Sequence, residues 1–414
     1  MKSVPAILFF ILSGFCGFCQ GSIRGRVVNE STGAAIAGSS VFISNSSKGT
    51  TSDSKGEFEL LNVPPGKQDL IISCIGYETN VFSFNGDQLP LQLKVELKIK
   101  IKELPNVLAE SSVEEGWDKW GRTFMDNFVG NTENASRCRI LNQQAIRFRY
   151  FRKSNRLVAY CDEPLLLENK ALGYTIKYQL ENFEANFSGH SIFYLGYSLY
   201  EPLVNDRKNK QEKWEEKRQE AFNGSIMHFM RSLYTNRLLE EGFEVKRMVR
   251  IPNYEKQRVR ELYMKTRVMK KTATGEVQAV SFSDWTGQFP SDSASYYGRV
   301  MHQDEYKDNF GQTLLTADSL IIESVDAFKA LQFEDYIYVL YKNEKEEAGY
   351  VKTQYPPRQA WFQRSYVTLL NDKLISIDKA GNYFDPQDFF TSGYWSWGEK
   401  MANSLPLDYE PGKK

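Results

Sequence analysis

Residues 56–76 read GEFELLNVPPGKQDLIISCIG, and this stretch decides the fold of the N-terminal region. Its apolar residues alternate with polar ones from Gly56 to Leu61, which is the period-two pattern of a half-buried strand. Pro64-Pro65-Gly66 supplies the backbone angles of a turn. A second apolar segment, Gln68–Cys74, follows the turn. The stretch therefore predicts two short strands joined by a tight connection.

The same pattern extends on both sides of this stretch. Turn signals rich in glycine and serine separate further short alternating segments. In total the sequence predicts six strands: Ile23–Val28, Val41–Ser44, Gly56–Leu61, Gln68–Cys74, Thr79–Phe84 and Leu91–Leu97. Short strands at regular spacing favour an all-β sandwich.

The residues of this region also resemble a known family. The matching segments, in the expected order, are Gly25-Arg26-Val27, Gly49-Thr50-Thr51-Ser52-Asp53, Gly56-Glu57-Phe58, Val63-Pro64-Pro65-Gly66 and Ile75-Gly76-Tyr77-Glu78. They are similar to the carboxypeptidase-regulatory-like family. The resemblance implies a transthyretin-like, seven-stranded sandwich over residues 20–98. In that family the domain is an accessory module of zinc carboxypeptidases, outer-membrane receptors and other exported proteins, and it brings no catalytic residues.

Zinc carboxypeptidase chemistry is the first activity to test against the sequence. His302-Gln303-Asp304-Glu305 matches the H-x-x-E pair of such enzymes, but no histidine follows Glu305. The chain has three histidines, and the other two, His190 and His228, do not begin such a motif. Because a zinc site needs three or more protein ligands, the sequence argues against this activity, and we expect no metal or cofactor.

Charge and hydropathy exclude two further classes of protein. The chain has 52 basic and 52 acidic residues, whereas nucleic-acid binders carry a basic excess. The mean hydropathy is −0.48, and no long apolar run follows the N-terminus. We therefore expect neither a nucleic-acid partner nor a transmembrane helix in the mature chain.

The first residues have the pattern of a signal peptide. Met1 to Gln20 read MKSVPAILFFILSGFCGFCQ, with a basic residue, an apolar core and then small residues. Gly17 and Cys19 fit the −3 and −1 positions of a cleavage site, so residues 1–19 are expected to be removed. This predicts an exported protein, either periplasmic or associated with the outer membrane. Lipidation is the minority interpretation because the bulky Phe18 precedes Cys19.

Three cysteines follow the signal peptide, and their state is open. An exported protein meets oxidising conditions, so Cys138 and Cys161 could form a disulfide, leaving Cys74 buried in a strand. Three unpaired thiols in the core are an equal alternative, since cysteine is among the most often buried residues.

Residues 116–410 are predicted to form one α+β domain after a linker at 99–115. Helical patterns cover Gly116 to Gly130 and Gln211 to Glu241. About ten alternating segments, among them Arg258–Met269 and Val277–Phe282, predict strands of a mostly antiparallel sheet. This part is similar to uncharacterised exported proteins that carry the same accessory domain.

The densest aromatic segment lies near the C-terminus and includes Tyr394, Trp395 and Trp397. Rigid aromatic side chains can stack on sugars or anchor a protein partner. They can equally pack the end of a sheet, which is the default expectation for an aromatic-rich β protein. The sequence leaves both roles open.

Three functions of different classes are consistent with these observations. The leading hypothesis is an exported cell-envelope protein that binds or scaffolds without catalysis, with envelope proteins or glycans as partners. The second is an envelope hydrolase, acting on a glycan or a peptide, whose site is assembled only in three dimensions. The third is an accessory component of outer-membrane uptake or secretion machinery.

Overall fold

The computed structural model describes residues 21–100, 111–271, 277–325 and 327–412. The chain divides into two compact units. Unit 1 comprises Met1–Val129, Arg137–Arg218 and Leu405–Lys414, and unit 2 comprises Gly130–Ser136 and Gln219–Ser404. The predicted signal peptide lies outside the described residues. Within them, no helix has the length and apolar character needed to cross a membrane.

The N-terminal part of unit 1 is a sandwich of two β-sheets. Its seven strands are β1 (Gly21–Asn29), β2 (Ser40–Ile43), β3 (Gly49–Thr51), β4 (Glu57–Val63), β5 (Lys67–Ser73), β6 (Asn80–Asn85) and β7 (Leu91–Leu97). One sheet has the order β4-β1-β7 and the other β3-β2-β5-β6. The predicted sandwich is confirmed, with the short strand β3 added to the six strands expected from the alternation.

Burial explains the two kinds of strand in this sandwich. In β4, Phe58 and Leu60 are buried while Glu57 and Glu59 are exposed, as the alternation requires. In β5, Leu70 to Ile72 are all fully buried. Leu70 and Ile72 point into the sandwich core, whereas Ile71 packs on the other face against Leu199. A strand covered on both faces has a continuous apolar run.

The rest of unit 1 is a seven-stranded antiparallel sheet with one helix. Its strands are β8 (Ser112–Glu115), β9 (Cys138–Ile140), β10 (Ile146–Phe151), β11 (Arg156–Cys161), β12 (Leu165–Asn169), β13 (Tyr174–Asn186) and β14 (Ser191–Pro202). Their order is β8-β10-β11-β13-β12-β9, and β14 pairs with β13. Helix α1 (Trp117–Phe124) continues in a π-helical turn to Val129, and Phe124 packs against Phe148 and Phe183.

The C-terminal residues also belong to unit 1. The Leu407 N–H donates a hydrogen bond to the Asn45 carbonyl at 2.7 Å, and the Asp408 carboxylate accepts one from the Ser47 N–H at 2.8 Å. Residues 116–129, 137–218 and 405–410 of the predicted α+β domain thus fall in unit 1, and the others fall in unit 2.

The predicted helical region at 211–241 consists of two helices, α2 (Lys208–Phe222) and α3 (Ile226–Tyr234). Gly224 separates them with φ of +73°, a backbone conformation that favours glycine. A Cβ at this position would lie 2.4 Å from Oε1 of Gln363 and 2.6 Å from Cδ1 of Tyr341, so a larger residue requires both side chains to shift.

Unit 2 is built mainly on one five-stranded antiparallel sheet. Its strands in chain order are β15 (Phe243–Pro252), β16 (Met269–Lys271), β17 (Val277–Ala279), β18 (Tyr306–Leu314), β19 (Ile321–Val325), β20 (Phe328–Leu331), β21 (Tyr336–Lys345), β22 (Phe362–Leu369), β23 (Ile375–Asp378) and β24 (Phe389–Gly393). The main sheet has the order β18-β15-β21-β22-β24, and smaller sheets are β19-β20-β23 and β16-β17. The predicted α+β class with mostly antiparallel sheets is confirmed.

The inner face of the main sheet forms the core of unit 2. Val245 pairs with Val339, and Ile337 pairs with Val367 on the next strand. All four are buried and pack with α3 residues such as Phe229. The other helices of unit 2 are α4 (Tyr254–Thr266), α5 (Phe282–Thr286), α6 (Ser291–Met301), α7 (Ala317–Leu320), α8 (Ala348–Lys352) and α9 (Tyr394–Gly398).

The prediction of a strand at Arg258–Met269 was wrong, because most of this segment is helix α4. The side chain of Asn253 caps the helix by accepting a hydrogen bond from the Lys256 N–H. Ion pairs at helical spacing, Glu255 with Arg258 and Glu261 with Lys265, support it along one side. The helix cap and the ion pairs together favour a helix over the strand that the apparent alternation predicts.

Candidate functional site

The aromatic residues singled out near the C-terminus lie in and beside the core of unit 2. Trp395 is 2% exposed, and its indole N–H donates a hydrogen bond to the Gly224 carbonyl at 2.7 Å. Its ring packs edge-on against Phe229, with 5.2 Å between centroids. Tyr394 is buried as well, and Trp397 is half-buried. The structure therefore brings the three together as a packing cluster around α9.

The two cysteines considered for a disulfide are on different strands of the sheet in unit 1. Cys138 begins β9 and Cys161 ends β11, and strands β12 and β13 lie between them in the sheet order. With about 4.8 Å between neighbouring strands, this is too far for a disulfide without rearrangement. Within the part of the chain that the structure describes, none of Cys74, Cys138 and Cys161 is in a disulfide.

The three histidines have separate, local roles. Nδ1 of His228 accepts a hydrogen bond from the Gly224 N–H, and Nε2 lies 3.4 Å from the Glu241 carboxylate. Nδ1 of His302 lies 2.7 Å from the Gly298 carbonyl at the end of α6. His190 is in a turn with φ of +49°.

Glu305, the acidic member of the H-x-x-E motif, is paired with basic side chains of α4. It forms ion pairs with Lys256 and Arg260, and the hydrogen bond from Arg260, followed by that from Lys256, holds its pKa below the usual value. Among the residues that the structure describes, no group of three or more potential metal ligands occurs.

The most distinctive surface is the outer face of the main sheet in unit 2. Residues paired across antiparallel strands point to the same side, and the register places one set of aromatic side chains opposite the core. We call this set the aromatic face: Tyr306 and Phe310 on β18, Tyr336 and Tyr338 on β21, Tyr366 on β22 and Phe390 on β24.

Ring contacts connect three members of the aromatic face, Phe310, Tyr338 and Tyr366. Phe310 packs edge-on against Tyr338 at 5.3 Å between centroids, and Tyr338 lies 5.7 Å from Tyr366. Tyr306 is 52% exposed and Phe310 is 48% exposed, while the tyrosines of β21 and β22 are half-buried. Exposed aromatic side chains that share one face of a sheet are typical of an interaction site.

Arg250 of β15 lies within this set of rings. Its guanidinium is 4.9 Å from the ring centroid of Tyr336, 5.7 Å from that of Tyr366 and 5.8 Å from that of Tyr306. It also donates two hydrogen bonds to Asp308, at 2.8 and 2.9 Å. The hydrogen bond to Asp308 raises the pKa of Arg250, so the group stays cationic.

A second guanidinium of the same face is fixed by a buried acid. Arg364 on β22 lies 3.7 Å from Glu346, whose side chain is fully buried and also bound by Arg358 and the Trp361 N–H. Burial is the largest single influence and raises the pKa of Glu346, but the hydrogen bonds from Arg358 and the Trp361 N–H and the charges of Arg358 and Arg364 together lower it below its ordinary value. Charged donors are thus held in place beside the rings.

Sequence reasoning missed this site although a signal for it exists. Residues 336–341 read YIYVLY, in which Ile337, Val339 and Tyr341 face the core. Tyr336 and Tyr338 alternate with these residues and are as large and rigid as core residues, but they face outward. An alternation of aromatic with aliphatic residues, rather than polar with aliphatic, predicts a strand whose outer face is itself an interaction surface.

Residues 21–97 fold as a two-sheet β-sandwich domain. Residues 23–109 match the family model of the CarboxypepD_reg-like domain, and the chain carries this domain. The comparison with curated proteins gives no match.

Comparison with solved structures finds local similarity. Two mutant type II cohesin–X-dockerin complexes from Acetivibrio cellulolyticus match at 26% and 23% identity, each over 18% of this chain, with TM-scores of 0.16 and 0.15. The match spans about half of their chains (52% and 51%). A Bacteroides fragilis protein of unknown function matches at 9% identity over 86% of this chain and 93% of its own, with a TM-score of 0.15. TM-scores this low support no inference about function.

Proposed function

We propose that this protein is an exported, non-catalytic binding protein of the cell envelope, and that the aromatic face of unit 2 binds a glycan. The observation that carries the proposal is the grouping of Tyr306, Tyr336 and Tyr366 around Arg250, which Phe310 and Tyr338 extend along the sheet. The accessory sandwich of unit 1 supports it, since domains of this type are non-catalytic modules.

The chemistry of the aromatic face fits a sugar chain. The C–H faces of sugar rings are apolar and stack on flat aromatic side chains, which lose little conformational entropy on binding. Arg250 uses two of its five N–H donors on Asp308, so donors remain beside a carboxylate acceptor. A sugar hydroxyl group both donates and accepts hydrogen bonds, so it can accept one from Arg250 and donate one to Asp308.

The first prediction concerns the two most exposed rings of the aromatic face. Replacing Tyr306 and Phe310 together with alanine is expected to weaken glycan binding about tenfold, since each lost stacking contact contributes about 0.5–1.5 kcal/mol. Affinity electrophoresis in gels that contain a neutral glucan, a mannan or an acidic pectin measures this, followed by calorimetry on the polysaccharide that retards the protein most.

Tyr355, which is 94% exposed elsewhere in unit 2, provides the matched control. Tyr355→Ala should bind like the original protein. The proposal is wrong if none of these polysaccharides retards the protein, or if the double variant is retarded as strongly as the unchanged chain. Circular dichroism verifies that the variants keep their β structure.

Export is the second part of the proposal, and it rests on residues 1–19. Cleavage after Cys19 is expected to leave Gln20 at the N-terminus of the mature protein. Mass spectrometry of the protein from its native host measures this directly, and blocking export should leave the longer precursor. A mature protein that retains Met1 contradicts the prediction.

A further inference from the structure

The two sheets of the sandwich in unit 1 have four edge strands, and three of them carry features that discourage pairing with another chain. β4 contains two glutamates, one of which pairs with Arg24. β7 contains an ion pair between Lys94 and Glu96. β3 is only three residues long. Charges and shortness are the usual protection of sheet edges.

Strand β6 is the exception. It reads NVFSFN, with no charge and no proline, and it pairs with β5 over six consecutive residues without a bulge. Three adjacent residues, from Val81 to Ser83, are exposed, and Val81 and Phe82 are 42% and 37% exposed. In a chain with 25% charged residues, an uncharged and regular edge of this length is a template for another strand.

On both faces of this sheet the neighbouring strands are covered within unit 1, whereas Val81 to Ser83 at the edge stay exposed. Leu70 and Phe84 pack into the sandwich core. On the opposite face, Phe42 and Ile71 pack against Leu199. The main-chain N–H and C=O groups of β6 that point away from β5 specify an extended strand as the partner.

We infer that β6 pairs with β6 of a second copy of this chain, joining two four-stranded sheets into one of eight strands. In twofold antiparallel pairing about a residue, each odd-numbered residue lies opposite an odd-numbered one and each even-numbered residue opposite an even-numbered one. If the twofold axis passes through Ser83, Phe82 lies opposite Phe84 of the second copy. If the axis passes through Phe82, the two Phe82 residues lie opposite each other. Either register joins aromatic side chains across the interface and brings no like charges together.

The test is the association state of the purified protein by sedimentation equilibrium. The unchanged protein is expected to dimerise within roughly 1–100 μM, because a single edge-to-edge contact lies at the low end of interface sizes. Phe82→Lys puts a charge into the edge and removes the ring contact, and it should raise the dissociation constant at least about tenfold. Val81→Lys is the second variant, on the other side of the same strand.

Leu61→Lys is the matched control, since Leu61 is 53% exposed on the edge strand β4. It should leave the dimer intact. Loss of the dimer in both β6 variants but not in the control supports the inference. A protein that is monomeric throughout this range overturns it, and so does a dimer that survives both β6 substitutions. Polysaccharide binding by Val81→Lys should be unchanged, which keeps this test separate from that of the aromatic face.

Discussion

Replacing Trp395 with alanine is expected to lower the free energy of unfolding by about 3–5 kcal/mol. The ring is 2% exposed and packs against Phe229 in the core of unit 2, so its removal leaves a cavity. The substitution also leaves the Gly224 carbonyl without the indole N–H that it accepts at 2.7 Å. Urea denaturation, followed by circular dichroism, measures the change.

Trp397 provides the comparison within the same short helix. Its ring is half-buried and packs at 5.6 Å against Tyr350, at the margin of the core. Trp397→Ala is therefore expected to cost about 1–2 kcal/mol. Equal losses for the two substitutions would contradict the packing described. A Trp395→Ala protein of unchanged stability that no longer binds polysaccharide would place this ring in a binding surface instead.

The sandwich could be predicted from the sequence because its evidence is local. Strands such as β4 alternate over a few residues, and Pro64-Pro65-Gly66 marks the turn between β4 and β5. Strand β3 was missed because three residues are too short for an alternation to be recognised. The family resemblance supplied the number of strands that the pattern alone did not.

Helix α4 shows where local evidence fails. Its segment has the valine, leucine, tyrosine and methionine content of a strand, and alternation over a few positions imitates a period of two. What decides for a helix is the cap at Asn253, outside the segment, and ion pairs three and four residues apart. Those signals are weak one by one, and only their agreement identifies the helix.

The aromatic face could not be predicted, because its members are brought together by strand order and register. Tyr306 and Tyr366 are 60 residues apart in the sequence, on strands that do not pair directly, and both lie within 6 Å of Arg250. The alternation indicates which residues of one strand share a side. It contains no information on which strand is the neighbour, and therefore none on which rings meet.

A last prediction concerns Glu399, which follows α9 in unit 2. Its carboxylate accepts a hydrogen bond from the Ile226 N–H at the start of α3, which favours the charged form. Burial acts in the opposite direction and is the larger cause, and the pKa of Glu399 rises from 4.5 to about 7. In the unfolded chain the same carboxyl group ionises near its ordinary value.

The pH dependence of stability follows from this difference. Between pH 4.5 and 7 the unfolded chain loses the Glu399 proton more readily than the folded one, so stability falls as the pH rises through this window. The loss reaches at most about 3 kcal/mol, and about 2 kcal/mol when the water that still reaches this partly exposed side chain is taken into account.

Glu399→Gln should remove this contribution while keeping an oxygen that accepts the Ile226 N–H. The variant is expected to be about 2 kcal/mol more stable than the unchanged protein at pH 7.5 and equally stable at pH 4.5, measured by urea denaturation across the range.

Glu323→Gln, at an exposed position in β19, controls for the general loss of one negative charge. Burial lowers the pKa of Lys400 to about 8, but this residue is present in both proteins, so its own titration cancels in the comparison. If Glu399→Gln and Glu323→Gln change stability equally at both pH values, the carboxyl of Glu399 is solvated in the folded protein, and the packing of α9 against the start of α3 is looser than described.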